Sequence, residues 1–249
     1  MKFLKISKTL LLGASLWLLA GNFTAQAHPF KTPSGEDPTF IHWAVLESAP
    51  GKMAEMGAMA AKDVAPTVAK ESGTYALYGG IDKTNPNIMR LLEIYESEDA
   101  YNKHVSSPGF LRYKANRVPI LKNLKFLDVT PIVLEQKASG EGHLVKMRLL
   151  EINKADIATA SKLLKEEMTR AVKDENGVMG LFATAEKARP NMIHTFELFS
   201  DEETYNKYVA SKEYKNYQNS LKKYVLSEHP IENVPTTVKL STTGVKTEK

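Results

Sequence analysis

Cysteine is absent from the whole sequence. That excludes structural disulfides, thiolate metal sites, a cysteine nucleophile and a lipid-attached N-terminal cysteine. A surplus of either charge is also missing: 33 Lys and Arg stand against 29 Asp and Glu, a formal net charge of +4. A basic surface for nucleic acid or anionic lipid is therefore not expected. No apolar run reaches the roughly 20 residues that a membrane-spanning helix needs. Nor is there a glycine-rich phosphate loop, a His-Glu-x-x-His pair or a Gly-x-Ser-x-Gly elbow, which disfavours nucleotide, zinc and serine-hydrolase chemistry.

What apolar run there is lies at the start. Lys2, Lys5 and Lys8 precede Thr9 to Ala20, and Ala25-Gln26-Ala27 follows with a small-x-small pattern. This predicts an export signal cleaved after Ala27, with a periplasmic or secreted product. The signal carries three lysines and no acid, so the 222 residues that remain carry +1. Without disulfides, such a chain must be held by its apolar cores.

Beyond the signal the sequence contains itself twice. Residues 40–136 lie over 144–240 at a constant offset of 104, pairing Glu71 with Glu175, Gly73 with Gly177, Pro86 with Pro190 and Glu93 with Glu197. The run Tyr101-Asn102-Lys103 falls on Tyr205-Asn206-Lys207, and Tyr78 falls on Phe182. A period this long is a small domain rather than a solenoid unit. The polar stretch 137–143 reads as the linker between two such domains.

In the first copy, Phe40 to Glu47 alternates like a strand, and Lys52 to Lys70 carries apolar residues at helical spacing with Pro66 marking a kink or an end. Gly73 to Tyr78 and Ile88 to Tyr95 read as two further strands around a hairpin loop at 79–87. Ser97 caps a short helix, Phe110 to Leu124 continues as another, and Phe126 to Glu135 is a last strand. The order β, α, β, β, α, β predicts an α+β, ferredoxin-like unit with helices on one face of an antiparallel sheet. The other face is left bare. Two tandem units packed sheet to sheet would cover it, an internal pseudo-dimer.

The segments Glu71-Ser72-Gly73-Thr74-Tyr75-Ala76-Leu77-Tyr78, Leu92-Glu93-Ile94-Tyr95-Glu96-Ser97-Glu98-Asp99-Ala100 and His104-Val105-Ser106-Ser107-Pro108-Gly109-Phe110 resemble the antibiotic biosynthesis monooxygenase domain of the dimeric α+β barrel superfamily. The second copy keeps the pattern in weaker form. The resemblance implies a fused pseudo-dimeric barrel with a pocket between sheet and helices in each half. It implies oxidation of a quinol-like or small aromatic substrate by O₂ with no cofactor and no metal, the substrate itself supplying electrons. Such chemistry asks for an apolar cavity, a base and exclusion of water.

Strand alternation suggests which side chains share that cavity. His42 and Ala44 would face the helices, and Leu91, Glu93 and Tyr95 share one face because residues two apart point the same way. With Tyr101 and His104 from the following helix they form an acid-base cluster. His104, Tyr95, Glu93 and Tyr101 are the candidate catalytic residues, and His42, Tyr78 and Leu91 the candidate substrate contacts. His104 ranks first, because an ordinary imidazole pKa near 6.5 suits proton abstraction from a phenol.

The second copy differs at these positions, with Lys146 for His42, Arg148 for Ala44, Phe199 for Tyr95 and Tyr208 for His104. Arg148 beside Glu197 is expected to form an ion pair that fills the second pocket, or else Arg148 and Lys146 bind an anion. His194 is expected at the surface or an interface. Haem-handling relatives of the family place asparagine, tryptophan and histidine at positions that here are Ala44 or Arg148, Tyr95 or Phe199, and Lys114 or Gln218. Haem degradation is therefore disfavoured. A ligand-binding or scaffold protein of the envelope without turnover is the main alternative to an enzyme.

Overall fold

The computed structural model describes residues 27–29, 38–137 and 142–234. The predicted export signal, up to Gln26, and the middle of the predicted linker lie outside the described residues. A three-residue strand, β1 (Ala27–Pro29), is followed by β2 (Phe40–Ser48), α1 (Met53–Asp63), α2 (Ala65–Val68), β3 (Thr74–Asp82), β4 (Ile88–Tyr95), α3 (Glu98–Ser106), α4 (Pro108–Arg117) and β5 (Leu121–Lys137). The second copy repeats this with β6 (Leu144–Ile152), α5 (Ile157–Asp174), β7 (Val178–Glu186), β8 (Met192–Phe199), α6 (Glu202–Ala210), α7 (Lys212–Leu221) and β9 (Val225–Val234). Each half is the expected βαββαβ unit.

Two local differences from expectation have clear causes. The segment read as one helix with a possible break is two, α1 and α2, because Pro66 cannot donate to the ladder. At the matching position the second copy has Arg170, and α5 runs unbroken for 18 residues. The helical stretch predicted to Leu124 ends at Arg117 before Pro119, and β5 already begins at Leu121.

The helix ends repeat in both copies. Ser97 accepts from the Ala100 amide to cap α3, and Asp201 accepts from Thr204 to cap α6. Ser107 and Ser211 cap α4 and α7 in the same way. The Ser107 hydroxyl also donates to the His104 carbonyl at 2.7 Å, which fixes the corner between α3 and α4.

The strands run in the order β5-β2-β4-β3-β9-β6-β8-β7, and β5 also pairs with β7. All pairings between these strands are antiparallel. The curled eight-stranded sheet is thus joined through both halves at two seams, β3 to β9 and β5 to β7. The 17-residue β5 serves both halves, its first part beside β2 and its last part beside β7.

Three apolar clusters result. One lies between sheet and helices of the first half (Leu46, Met56, Leu77, Tyr95, Tyr113), and one between sheet and helices of the second (Leu150, Leu164, Met168, Phe199). The third is shared, built from the inner faces of both sheets by Trp43, Tyr78, Leu92, Ile94, Met147, Phe182 and Phe196. Because both faces are covered, β3 and β8 are buried along most of their length and do not alternate. Two polar contacts cross the shared interior: Trp43 Nε1 donates to Thr184 Oγ1 at 3.0 Å and the Tyr78 hydroxyl donates to Gln136 Oε1, while Gln136 Nε2 has no hydrogen-bond partner among the described residues. His194 packs on Trp43 across this junction with ring centroids 5.6 Å apart, as an interface residue should.

A shared interior makes the halves one cooperative unit. Urea unfolding followed by both fluorescence and circular dichroism should show one coincident transition, and Phe182→Ala should destabilise the whole chain by about 3–5 kcal/mol. Two separated transitions would show the halves to be independent.

Candidate active site

Cross-strand pairing places His42 directly opposite Glu93, and Ala44 opposite Leu91 on one side and Phe126 on the other. Their side chains point to the helix face. His42 Nε2 lies 2.9 Å from Glu93 Oε2, and the Tyr95 hydroxyl donates to the same oxygen at 2.8 Å. Glu93 Oε1 has no hydrogen-bond partner among the described residues. Burial pushes the Glu93 carboxyl up, but the bonds from His42 and Tyr95 and the nearby histidine charges outweigh it and hold it below the usual range. Burial and the Glu93 charge push the Tyr95 hydroxyl well above the phenol range, so it remains a donor.

α3 brings two more groups over this face. His104 is only 1% exposed, and its Nδ1 lies 2.8 Å from Glu71 Oε2. The Thr74 hydroxyl donates to that same carboxylate oxygen at 2.9 Å. In the neutral tautomer that gives Nδ1–H to Glu71 the lone pair is on Nε2, which has no partner among the described residues. Tyr101 stacks on Phe40 at 4.7 Å and meets His42 edge-on at 5.3 Å.

Between these groups and the helices lies a cavity of about 50 Å³. Its walls are mostly apolar, including Leu46, Val64, Leu77, Met89 and Leu91, with aromatic sides from Phe110, Tyr113 and Phe126. Its polar lining is Glu93, Tyr101, His104 and Arg117. At ~10–15 Å³ per water it holds a few waters. α4 is set close over it by Gly109, where a Cβ would come within 2.0 Å of Thr67 Oγ1 and 2.2 Å of the Asp63 carbonyl. Any side chain at 109 would push α4 off α1 and α2 and open the cavity wall.

The seven residues named from sequence do not all meet here. Glu93, Tyr101, His104 and Leu91 line the cavity. His42 and Tyr95 sit beside it and hold Glu93 in place. Tyr78 does not reach it: adjacent residues on a strand point to opposite sides, and Tyr78 belongs to the shared interior, stacked on Phe196 at 5.7 Å. Its neighbour Leu77 takes the cavity position.

Glu71 and Arg117 were missed. Glu71 recurs as Glu175, but Glu175 instead accepts from Arg170 at 2.9 Å, so the repeat hid its role. Arg117 stood in a stretch read as mere helix.

The second half closes the equivalent space. Arg148 Nη2 and Nε donate to Glu197 Oε1 at 2.6 and 3.0 Å, and Nη1 to Glu228 at 3.3 Å, so a long side chain and its ion pair stand where Ala44 leaves room. Lys146 turns to Glu202 and the Tyr205 ring. This is the filling ion pair expected from the sequence. Among the described residues no three His, Asp or Glu side chains converge to hold a metal ion, and no helix is long and apolar enough to cross a membrane.

Comparison with known proteins fits this geometry. Residues 39–116 match the family model for antibiotic biosynthesis monooxygenase. The match falls within the first half of the chain. Among solved structures, a protein of Lactobacillus acidophilus NCFM provisionally described as a monooxygenase superposes with a TM-score of 0.72 at 21% identity, covering 77% of this chain and 91% of its own. One of Fusobacterium nucleatum, described likewise, gives 0.71 at 16% identity, covering 79% and 92%. An anthrone oxidase-like protein gives 0.53 at 7% identity over 82% and 92%. At these identities the likeness establishes the two-unit fold. Comparison with curated proteins found no match.

The depressed Glu93 carboxyl has a consequence for stability. A carboxylate whose folded pKa lies below its unfolded value of about 4.3 contributes fully above that pH, and the contribution is lost as pH falls through the folded value. Asp82, bonded by Thr84 and Arg90, and Glu186, bonded by Arg189 and His194, are depressed in the same direction against their own burial. Urea midpoints should therefore fall as pH drops below about 4.3, and Glu93→Gln should flatten that fall. An unchanged slope in the variant would assign the acid loss to other carboxylates.

Proposed function

We propose that the first half oxidises a quinol-like or small aromatic substrate with O₂, without a cofactor, and that His104 is the base. The observation that carries this reading is the His104 ring, buried on the wall of an apolar cavity with Nδ1 held by Glu71 and Nε2 left without a partner among the described residues. A phenolic proton passes to Nε2, and Glu71 stabilises the imidazolium that forms. The phenolate then gives up electrons to O₂. For a hydroquinone, one oxygen atom enters the ring and the other leaves as water, giving a hydroxyquinone. The apolar wall excludes solvent from the oxidised intermediate. Glu93, kept ionised by His42 and Tyr95, accepts a second hydroxyl of the substrate through Oε1. The small volume favours a single ring over a polycycle.

A haem reading finds no support in this site. Lys114 is exposed, Ala44 has no donor atom, the Tyr95 hydroxyl is given to Glu93, and the cavity is far smaller than the macrocycle. Binding of a small ligand without turnover is the second reading, favoured by a cavity that holds only a few waters.

Oxygen uptake with a panel of hydroquinones and anthrones tests the proposal. Turnover should fall about 10²–10⁴-fold in His104→Ala, and Glu71→Gln should lower it and alter the pH profile at an unchanged unfolding midpoint. No uptake across the panel, with ligand binding intact, would leave the second reading. Export belongs to the same proposal: the protein recovered outside the cytoplasm should begin at His28, as N-terminal sequencing would read.

A further inference from the structure

We infer that the first-half cavity takes an aromatic acid, a ring carrying a carboxylate, with Arg117 as its counter-charge. This rests on reading the cavity as a binding site and goes on to name what enters it. Arg117 ends α4 and is 7% exposed, so its guanidinium has left most of its water behind. Its central carbon lies 4.7 Å from the Tyr113 ring centroid and 5.8 Å from that of Phe110, both on the cavity wall. Nε is buried and has no hydrogen-bond partner among the described residues. No carboxylate among the described residues is within ion-pair distance of it.

That arrangement is costly. A buried guanidinium ordinarily has an acid beside it, because an uncompensated charge in a low-dielectric site is strongly unfavourable. The second half obeys this rule: Arg148, largely but not fully buried, has both Glu197 and Glu228. At the position equivalent to Arg117 it has Leu221, a side chain that fills the same place without charge. The first half therefore keeps a cation that the fold does not need and gives it no anion.

A ligand carboxylate supplies the missing partner, since it can accept from the planar fork of an arginine. The other features of the cavity fit the rest of such a molecule. Aromatic and aliphatic walls suit a ring, and the narrow space and single cation suit a monoanion better than a phosphate. Glu93 is an acid on the same lining, already engaged by His42 and Tyr95. It repels the carboxylate end and accepts from a hydroxyl, so the ligand is oriented with its acid at Arg117 and its phenol toward Glu93 and His104.

Calorimetric titration with 2,5-dihydroxybenzoate and with hydroquinone isolates the carboxylate, because the two share the same hydroxylated ring. The acid should bind about tenfold tighter or more. Arg117→Leu, which installs the residue of the second half, and Arg117→Gln should each abolish the preference while hydroquinone affinity stays put. Thermal unfolding of both variants should match or exceed the parent, as expected when an unpaired buried charge is removed. Equal affinities in the parent, no binding of the acid, or a preference that survives both variants would overturn the inference. The readout is binding, so absence of oxygen uptake with either compound would sink the oxygenase reading alone. Uptake from hydroquinone with no preference for the acid would sink this inference alone.

Discussion

The constraint on which everything else depends is an apolar sheet face that one βαββαβ unit cannot cover. Helices shield only the outer side of each sheet. Trp43, Tyr78 and Ile94 from one half and Met147, Phe182 and Phe196 from the other would meet water if the units were separate. Burying aromatic and aliphatic side chains of this size stabilises by roughly 1.5–3 kcal/mol each, so the two sheets close on one another. The buried Trp43 indole finds its hydrogen bond across the junction, at Thr184.

Because the interior is shared, the outer faces are free to differ. Each half places a cavity position on the first strand of its sheet, and one residue decides its state. Ala44 leaves a space, whereas Arg148 fills it and neutralises the glutamate that would otherwise face a ligand. The acid at 93 or 197 is thus one carboxylate with two fates. In the first half His42 and the Tyr95 hydroxyl bind it beside an open space. In the second a guanidinium and the Thr195 hydroxyl take its bonds. The helices follow suit: Gly109 lets α4 settle onto α1 and α2, while the matching residue of α7 is Glu213.

Much of this was legible in the sequence. The offset of 104 and the turn residues it aligns required a duplicated fold, and the spacing of Leu91, Glu93 and Tyr95 put them on one face. The expected pairing of Arg148 with Glu197 followed from comparing the copies. What was not legible depends on geometry that no local pattern carries. Tyr78 goes inward because β3 has both faces buried, so an aromatic there gives no sign of its side. The end of α4 is set by Pro119, and only that end brings Arg117 back over the cavity. Glu71 lies in a turn 33 residues from His104 and meets it through the packing of α3 on the sheet.

The long strand β5 has a further consequence. Its first part belongs to the sheet of one copy and its last part to that of the other, while β9 returns the exchange by pairing with β3. A break in the chain between Lys137 and Gly142 would therefore not release two domains. It would give two fragments with complementary seams, each carrying the edge that the other lacks, so a nicked molecule would persist as a heterodimer and two separately made halves could reconstitute it.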